Sequence, residues 1–589
     1  MNQAARKTNI IILTYNKLDY TQLCVSSIRR FTKPGTYRMI IVDNASTDGT
    51  REWLADQTDI ITIFNENNLG FPKGCNQGIK LTQEEDVLLL NNDVVVTENW
   101  LELLQSCLYS SPDIGAVGPS YNGDSEIDDA YHTIDEMLKI SANLNRDDSS
   151  KWEPRLKLIG FAMLIKNEVI KKVGLLDEQF SPGNCEDTDY SFRIIQQGYK
   201  ILFCKNVFIH HFGSISFGDS PEQYNELLVK NRGKFLNKWG FASHRHSNIR
   251  RELISLIDRG PEDDFDVLDV GCACGATLLQ IGYQYPAARL FGVERNPQAA
   301  EIASTVAEVQ VADVEVELPY LDHSFDYILL GSVVEELVNP LKVLNGLRKL
   351  LKPGGVILAG IANVMHYSVF SQLFKGSWNY TDAGPLSGEN LRFYTLTDAM
   401  NLFSSAGMNQ VQYYPQQYEP TMEIINWVDQ LAGFANIPNK EQLLVHEYLF
   451  RVTVTAGAER LTGPLQAVSQ QIEVETNLVF LSELVQSGET DMEQLLQAIG
   501  NLDTVDNKIL LYNLLATSFY KSGLYNDVIP LLNAALELDS TDQTTLYNYA
   551  FILNQVGAHE QALLYLNGIA DKDQDTRQLL ASVQKSLDR

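Results

Sequence analysis

One pattern constrains the fold of the first 245 residues more than any other: a short apolar run that ends in small polar residues. It occurs at 9–13, 39–42, 60–64 and 87–96, and a helical pattern follows each of the first three runs. Such runs predict buried strands, and their alternation with helices predicts a parallel, doubly wound sheet. Because the carboxyl ends of parallel strands share one edge, we expect the polar tips to face a common ligand, such as a nucleotide.

The run at 87–96 carries the most informative tip, since it reads Val-Leu-Leu-Leu-Asn-Asn-Asp-Val-Val-Val. Asp93 offers a hard carboxylate oxygen, which suits Mg²⁺ or Mn²⁺ bound to a diphosphate. An Asx-rich turn between two strands explains the same residues without any ligand. This stretch by itself favours neither interpretation.

Taken in chain order, the four polar tips resemble the motifs of inverting family 2 glycosyltransferases of the GT-A fold. The motifs are Leu-Thr-Tyr-Asn at 13–16, Val-Asp-Asn-Ala-Ser-Thr-Asp-Gly-Thr at 42–50, Asn-Asn-Leu-Gly-Phe at 67–71 and Asn-Asn-Asp at 91–93. The resemblance implies a nucleotide diphosphate sugar donor, UDP- or dTDP-linked, and Mn²⁺ or Mg²⁺ bound by Asp93. It places the nucleotide sugar against Thr14, Tyr15, Asn16, Asp43, Gly70, Asn76, Asn92 and Asp93. Within that set, Tyr15 and Asp43 would hold the base, while Asn76 and Asn92 would lie near the ribose and diphosphate.

An acidic segment at 185–189, Cys-Glu-Asp-Thr-Asp, precedes a helical pattern. The same resemblance assigns Asp187 as the catalytic base, because an inverting transfer needs one carboxylate to take the proton of the acceptor hydroxyl. The alternative is that Glu186, Asp187 and Asp189 only stabilise a helix N-terminus. The motifs upstream favour catalysis.

Two histidines follow the next predicted strand. The resemblance implies that His211 completes the metal site begun by Asp93. Neighbouring residues on a strand point to opposite faces, so only one of the pair can reach the site. We therefore expect a packing or surface role for His210.

A second strand, glycine turn and helix begin at 267, where the sequence reads Val-Leu-Asp-Val-Gly-Cys-Ala-Cys-Gly. Asp269 at the strand end disfavours a diphosphate and suits a cationic or amino-bearing ligand. Glu294 ends the next predicted strand and is placed to accept a hydrogen bond from ribose hydroxyls. A nicotinamide dinucleotide site is the generic alternative, but its glycines take the first, third and sixth places of the turn, unlike Gly-x-x-x-Gly here.

This segment resembles the class I S-adenosylmethionine-dependent methyltransferases. The matching stretches are 269–275, 292–294, 312–314, 325–328, 334–337 and 351–355. The resemblance implies S-adenosylmethionine as cofactor, with the ribose on Glu294 and the adenine against Asp313 and Val314. The methionine end would lie beside Asp269, Gly271 and Gly275.

Two positions depart from that family's pattern. Close relatives often have a histidine where this chain has Glu336 and Asn390, and histidine is the usual base for oxygen methylation near neutral pH. His366 could serve in their place, although a structural or surface role fits it equally well. Methyl transfer can also proceed mainly by proximity of the reactants.

Residues 459–589 are helical in pattern and carry a 34-residue period. Ala516 and Ala550 are one period apart, as are Gly523 and Gly557. This spacing resembles tetratricopeptide repeats. Such arrays bind protein partners on a concave face, but a cap on the enzyme domains or a dimerisation surface is an equal alternative.

The composition excludes some classes of function. With 46 basic and 75 acidic residues the formal charge is −29, which argues against a nucleic-acid binder or a polybasic membrane anchor. The seven cysteines lack zinc-site spacing and fit a reducing cytoplasm. Neither a signal-peptide pattern at Met1–Lys7 nor a run of about 18 apolar residues is present. We expect a cytoplasmic protein without a membrane span.

These observations predict a multidomain α/β protein. It comprises a GT-A glycosyltransferase at 1–245, a Rossmann-like methyltransferase at 248–458 and an all-α repeat domain at 459–589. The expected function is glycosyl transfer to a glycan or protein, such as a bacterial surface or flagellar protein, with methylation of the same sugar or glycan. One alternative is a non-catalytic methyltransferase-like domain whose repeats act as a protein-binding scaffold. Another is extension of a glycolipid at a membrane surface.

Overall fold

The computed structural model describes residues 7–123, 131–213, 221–316, 318–408, 410–453, 457–488, 490–502 and 508–587. The chain divides into two compact units. The first is Met1–Gly407 with Val411–Val452, and the second is Met408–Gln410 with Thr453–Arg589. Two α/β sheets lie in the first unit, and the second is helical, so the predicted fold class is confirmed.

The first sheet has eight strands in the order β3-β2-β1-β4-β8-β6-β9-β7, and a separate two-stranded ribbon pairs β10 with β5. Strands β1 to β4 are mutually parallel, as the repeated pattern predicts. The strands are β1 (Thr8–Thr14), β2 (Tyr37–Asp43), β3 (Ile60–Phe64), β4 (Asp86–Asn91), β5 (Val94–Val95), β6 (Ile114–Ser120), β7 (Trp152–Arg155), β8 (Ala162–Ile165), β9 (Lys200–Phe208) and β10 (His210–His211).

Helices cover both faces of this sheet, which is why consecutive residues of β1, Ile10, Ile11 and Ile12, are all 0% exposed. A run buried on both faces has no polar alternation, as the sequence shows. The helices are α1 (Leu18–Phe31), α2 (Thr50–Ala55), α3 (Phe71–Ile79), α4 (Trp100–Leu108), α5 (Ile134–Leu144), α6 (Asn167–Val173), α7 (Glu186–Gln196), α8 (Pro221–Trp239) and α9 (Ser243–His246).

The second sheet has seven strands in the order β13-β12-β11-β14-β15-β17-β16. Its first five strands in this order are parallel, so their carboxyl ends form one edge. The elements are β11 (Asp266–Val270), β12 (Arg289–Glu294), β13 (Glu308–Val311), β14 (Phe325–Gly331), β15 (Leu351–Ala362), β16 (Gln410–Gln416), β17 (Glu447–Thr453), α10 (Arg251–Ile254), α11 (Ala276–Gln284), α12 (Pro297–Ala303), α13 (Pro340–Leu350), α14 (Tyr367–Phe374), α15 (Leu396–Ser405) and α16 (Met422–Ala435).

The two sheets of the first unit share part of one hydrophobic core. Phe235, Trp239 and Phe241, at the end of α8 and just beyond it, belong to the same buried cluster as Cys274 and Ile302 from the second sheet's helical layer. The backbone N–H of Cys274 also donates to the carbonyl of His246 at 3.0 Å. The segment that closes the first domain is therefore packed into the second.

The second unit consists of helices, as predicted. Ala516 and Ala550 are 2% and 0% exposed, and Gly523 and Gly557 end helices with φ of +81° and +80°. These features are compatible with helical repeats, and the tetratricopeptide assignment stays a prediction. The helices are α17 (Gly457–Ser469), α18 (Val474–Gln486), α19 (Met492–Gly500), α20 (Lys508–Lys521), α21 (Tyr525–Leu538), α22 (Gln543–Gln555), α23 (His559–Gly568) and α24 (Gln574–Leu587).

Two expectations reach beyond the described residues. The sequence pattern predicts that a strand at 450–456 closes the methyltransferase domain, and residues 454–456 of it lie outside the described residues. The leading segment Met1–Lys7 is described only at its last residue. Among the described helices, none is both long and apolar enough to cross a membrane.

Candidate active sites

The tips of β1 and β2 hold each other in place at the edge of the first sheet. The N–H of Asn16 donates to Ser46 Oγ at 2.7 Å, and the N–H of Thr47 donates to Asn16 Oδ1 at 2.8 Å. The hydroxyl of Thr14 is buried and lies 2.9 Å from that of Thr21. Tyr15 differs from these neighbours, since it is 42% exposed. Of this tip, the ring of Tyr15 is the part presented to solvent.

Asp43 lies at the end of β2 and is fully buried. Arg51 Nη1 is 3.1 Å from its Oδ2, and the N–H of Ser46 donates to the same carboxylate at 3.3 Å. Arg51 also donates to the carbonyl of Asn65 at 2.6 Å, which ties this tip to the tip of β3. The expected contact of Asp43 with a nucleoside base stays a prediction.

Gly70, which directly precedes α3, and Asn76, within α3, contact the segment that leads to α7. Gly70 has φ +81°, and a Cβ there would lie 2.4 Å from Pro182 Cα, so no larger residue fits. Asn76 is 1% exposed, donates to the carbonyl of Leu176 at 2.9 Å and accepts from its N–H at 3.0 Å. Both side-chain groups of Asn76 are thus engaged within the protein, and its expected contact with the ribose stays a prediction.

Asp93 and His211 meet where β5 pairs with β10. His211 lies opposite Val94 in this ribbon, and its Nε2 is 3.3 Å from Asp93 Oδ1. The imidazole stacks on Phe161 with ring centroids 4.9 Å apart, and the N–H of His211 donates to Asn122 Oδ1 at 2.8 Å. The ring is therefore held with Nε2 towards the carboxylate.

The carboxylate of Asp93 has an oxygen that the protein leaves unsatisfied. Asp93 is 5% exposed, and Oδ1 accepts no hydrogen bond from any residue that the structure describes. A buried carboxylate oxygen facing an imidazole nitrogen is a donor set that suits a divalent cation. The described ranges contain no group of three or more such ligands, so a metal here would need further ligands from a diphosphate or water. Asn92 is turned away, donating to Thr21 Oγ1 at 3.0 Å.

Asp187 lies in the first turn of α7 and is half-buried. Its Oδ2 accepts from the N–H of Gly160 at 3.0 Å, and its Oδ1 accepts from the N–H of Thr188 at 2.6 Å. The residue after Gly160 is Phe161, whose ring stacks on His211. Two consecutive residues therefore connect the expected base with the expected metal pair.

The other carboxylates of this helix start have different surroundings. Asp189 is fully buried and pairs with Arg193 at 2.9 Å and Lys238 at 2.6 Å, so it fastens α7 to α8. Glu186 is 7% exposed, and burial together with the charge of Asp187 raises its pKa to about 8. Asp187 is the most exposed of the three, and it forms no ion pair with the residues that the structure describes.

His210 lies on the other face of its strand, as expected. Its Nδ1 is 2.6 Å from the hydroxyl of Tyr131, and Phe212 packs against its ring with centroids 4.4 Å apart. Burial lowers the pKa of His210 below its usual range.

A cavity of about 750 Å³ opens at the carboxyl edge of the second sheet. Gly271 lines it with φ +70°, and a Cβ there would lie 2.8 Å from Val333 Cγ2. Gly275 lies behind the loop, where a Cβ would be 3.1 Å from Ala303 Cα, so it allows α11 to pack on α12. Of the residues expected to bind S-adenosylmethionine, the wall includes Asp269, Gly271, Glu294, Asp313 and Val314.

Glu294 and Asp313 in the cavity wall accept hydrogen bonds from the backbone of the surrounding loops. Glu294 accepts from the N–H of Ala273 at 2.9 Å and from that of Asn296 at 2.7 Å. Asp313 accepts from the N–H of Glu315 at 2.9 Å. Burial raises the pKa of Asp269 to about 7, although the positive charge of Arg250 opposes that rise.

Residues 9–174 match the family model Glycosyl transferase family 2, and residues 268–359 match the model Methyltransferase domain. The chain joins a family 2 glycosyltransferase domain to a methyltransferase domain. Glycosyltransferase GlyG of Streptococcus pneumoniae is 24% identical over 264 residues, which is 42% of this chain and 86% of that protein. Trans-aconitate 2-methyltransferase of Shigella flexneri is 23% identical over 201 residues, which is 33% of this chain and 78% of that protein.

Solved structures to which parts of this chain are similar include a mannosyltransferase from Pyrobaculum calidifontis in complex with GDP-Man and Mn²⁺. It is 18% identical, with a TM-score of 0.31 over 40% of this chain and 65% of that one. A methyltransferase from Thermotoga maritima is 16% identical, with a TM-score of 0.26 over 41% of this chain and 98% of that one.

The wall of the methyltransferase cavity includes a histidine that the sequence analysis missed. His446 has its ring stacked on Tyr418 with centroids 4.4 Å apart, and its Nδ1 has no hydrogen-bond partner in the described part of the chain. His446 directly precedes β17, which begins at Glu447. The rule that sites form at the carboxyl ends of strands does not reach it, because His446 stands at the start of its strand.

His366, the histidine considered instead, lies outside the cavity wall. Its Nδ1 is 2.8 Å from Ser368 Oγ, and burial lowers its pKa to about 4. Arg245 and His246 do line the cavity, although they precede residue 248, the expected start of the methyltransferase domain. The segment after α8 therefore contributes to both domains.

Proposed function

We propose that this chain is a bifunctional glycan-modifying enzyme. The glycosyltransferase domain would transfer a sugar, with inversion and with a divalent metal, from a nucleotide diphosphate sugar to a hydroxyl of a glycan or protein. The methyltransferase domain would methylate an oxygen of that sugar or glycan with S-adenosylmethionine. The observation that carries the first activity is the connection of Asp187 to the Asp93–His211 pair through Gly160 and Phe161.

In the transfer step, Asp187 takes the proton of the acceptor hydroxyl as its oxygen attacks the anomeric carbon. The bond from that carbon to the diphosphate breaks on the opposite side, and the leaving group keeps the electron pair. The two backbone hydrogen bonds to Asp187 orient its carboxylate before the substrate arrives. Mg²⁺ or Mn²⁺ on Asp93 and His211 would supply positive charge to the departing diphosphate.

The nucleotide sugar, UDP- or dTDP-linked, would lie across the tips of β1 to β4. Tyr15 supplies an exposed ring for the base, and Asp43 a carboxylate oxygen. The remaining members of the proposed site shape or anchor the tips, and they are Thr14, Asn16, Gly70, Asn76 and Asn92.

In the methyltransferase domain, Glu294 would accept from the ribose hydroxyls, and Asp313 and Val314 would hold the adenine. Asp269 would face the amino group of the methionine end. We assign the acceptor to the other end of the cavity, where His446 takes the proton of the attacking hydroxyl. Burial lowers the pKa of His446, so the imidazole is neutral at neutral pH and able to act as a base.

The proposed location of the protein is the cytoplasm. There the helical repeats would bind the acceptor protein or a partner enzyme. Alternatively, the same helices would form the contact of a homodimer. The alternative function is that of a glycosyltransferase whose methyltransferase-like domain is not catalytic and whose repeats act as a protein-binding scaffold. The unsatisfied Nδ1 of His446 in the cavity wall favours the enzymatic version.

A panel of nucleotide sugars tested for hydrolysis with Mn²⁺ or Mg²⁺ examines the first activity. We expect hydrolysis of at least one UDP- or dTDP-sugar that stops when the metal is chelated, and metal-independent hydrolysis would contradict the metal assignment. Calorimetry with S-adenosylmethionine examines the second domain, and a folded protein that fails to bind it would refute the methyltransferase proposal.

A further inference from the structure

Lys157 is an unpaired basic residue beside the proposed catalytic base. The segment that contains Lys157 lies alongside the first turns of α7. The N–H of Leu158 donates to Ser191 Oγ at 3.2 Å, and the N–H of Gly160 donates to Asp187 at 3.0 Å. Lys157 is half-buried, and no hydrogen bond or ion pair joins it to any residue in the described ranges. Ammonium groups removed from water are normally paired, since their desolvation is costly.

The charges around Lys157 locate it relative to α7. Burial lowers the pKa of Lys157, and the negative charge of Asp187 opposes that shift. Arg232 of α8 directly follows Asn231, whose amide donates to the carbonyl of Gly183 at 2.6 Å in the loop before α7. Arg232 and Lys157 therefore both belong to segments that adjoin the start of α7.

A third basic group completes this cluster. Both ring nitrogens of His244 are buried and accept or donate no hydrogen bond among the described residues. Its Nε2 is 3.6 Å from Asp382 Oδ2, which also pairs with Arg232 at 3.2 Å. One carboxylate is thus shared by two of the basic groups, and Lys157 has none.

We propose that Lys157, Arg232 and His244, here called the basic cleft, bind an anionic group of the sugar acceptor. The group would be a carboxylate or a phosphate placed next to the hydroxyl that Asp187 deprotonates. Arg232 already shares Asp382, whereas Lys157 has no hydrogen bond or ion pair among the described residues. An anionic ligand would supply the partner that Lys157 lacks, which a neutral ligand could not do.

The cleft suits the acceptor better than the donor. The donor's diphosphate would take its positive charge from a metal at Asp93 and His211, whereas the cleft surrounds the start of α7, where the acceptor hydroxyl must approach Asp187. The inference rests on the proposed glycosyl transfer, but it depends on different side chains.

Calorimetry of the full chain with Mn²⁺ and UDP can test the cleft with three sugars of one ring type: glucuronic acid, glucose 6-phosphate and glucose. We expect at least one anionic sugar to bind about tenfold more tightly than glucose, the effect of one charge-assisted hydrogen bond. The carboxylate and phosphate arms identify the preferred anion. Equal binding of all three sugars, or binding of none, would overturn the proposal.

Variants of the full chain make this test specific. Lys157→Gln should remove the tenfold preference and His244→Asn should weaken it, while Lys157→Arg should keep most of it. Lys171→Gln, which removes an equal charge from an exposed ion pair with Glu84, should leave the preference unchanged. A preference that survives Lys157→Gln in a folded protein would refute the cleft.

Nucleotide-sugar hydrolysis measured in parallel separates the two proposals. Lys157→Gln should hydrolyse the donor like the unmodified chain, and loss of hydrolysis with anion binding intact would reassign Lys157 to the donor and overturn the inference. If the unmodified chain hydrolyses no nucleotide sugar but binds anionic sugars through Lys157, the glycosyl-transfer proposal fails and the cleft stands.

Discussion

Asp93 and Glu294 are acidic residues at the carboxyl ends of parallel strands in two different sheets, and they are almost equally buried, at 5% and 6% exposure. Their oxygens differ. Both oxygens of Glu294 accept a backbone N–H, whereas Asp93 Oδ1 accepts nothing from the described residues and faces an imidazole. A carboxylate held by two N–H groups keeps lone pairs for hydroxyl donors, and an unsatisfied one suits a cation. Burial alone would not have separated the two roles.

The proposed bases show a second contrast. Asp187 is oriented by hydrogen bonds to both oxygens, while His446 is oriented by stacking on Tyr418 and leaves Nδ1 open. The first depends on backbone geometry and the second on an aromatic surface. Changing each base tests whether both sites are catalytic.

The largest effect is expected for Asp187→Asn. Removing the proposed base of this domain should lower sugar transfer by about 10³-fold, within the range such groups contribute, while nucleotide binding should persist because the nucleoside would be held by other tips. Transfer rates and nucleotide calorimetry on the same preparation measure both. Glu186→Gln is the matched control: burial and the charge of Asp187 raise the pKa of Glu186 and favour its neutral form, which glutamine resembles, so transfer should be nearly unchanged. Undiminished transfer by Asp187→Asn would rule out its role as the base.

For the second domain, His446→Asn should lower methyl transfer by about 10²-fold without weakening S-adenosylmethionine binding. Because the pKa of His446 lies below its usual range, the unmodified chain should lose activity only as pH falls through that lowered pKa. The variant should lose this acidic limb of the pH profile. His366→Asn, a histidine outside the cavity wall, should keep it, and an identical profile in all three proteins would exclude His446 as the base.

Asp93→Asn tests whether the unsatisfied oxygen serves a metal. The apparent affinity for Mn²⁺ in nucleotide-sugar hydrolysis should fall at least as much as the roughly 10–100-fold lost when a supporting group of a metal site is removed. Metal titrations of hydrolysis measure this shift. Glu294→Gln, which alters the comparable carboxylate of the other sheet, should leave the Mn²⁺ requirement unchanged. An unaltered metal titration in Asp93→Asn would mean that Asp93 has no metal role.

The smallest effect concerns stability. Glu335 lies fully buried in the cavity wall, its Oε2 has no partner among the described residues, and burial raises its pKa to about 7 from 4.5. A raised pKa means that this group's contribution is favourable below pH 4.5 and is lost as pH rises through 7. Glu335→Gln should therefore stabilise the first unit by up to about 3 kcal/mol at pH 8 and by almost nothing at pH 4.

Denaturant unfolding followed by tryptophan fluorescence measures this change, because all six tryptophans lie in the first unit. Glu84→Gln, at an exposed position, should show no comparable dependence on pH. A Glu335→Gln gain of equal size at pH 4 and pH 8 would show that the charge of Glu335 is not its cause.

The order of strands and polar tips was predictable, because each depends on local composition. The expected strand at 60–64 agrees with β3 at both ends, and β1, β2 and β4 begin within two residues of their expected starts. The start of β17 was expected three residues too late, at 450, whereas β17 begins at Glu447. Strand ends are set by pairing with distant segments, which the local pattern does not contain.

Residue chemistry alone therefore determined which types of group stand at the proposed sites: the carboxylates Asp93 and Asp187, the imidazole of His211 and the glycine turn before α11. Only the tertiary structure decided which of them are already satisfied. Asn76 and Asn92 have their amides turned to neighbouring loops and threonines. Within the described part of the chain, Asp93 Oδ1 and His446 Nδ1 have no hydrogen-bond partner, and Lys157 has neither a hydrogen bond nor an ion pair. Hydrogen bonds and ion pairs join residues far apart in the chain, so the availability of a polar group for a ligand is a property of the folded molecule.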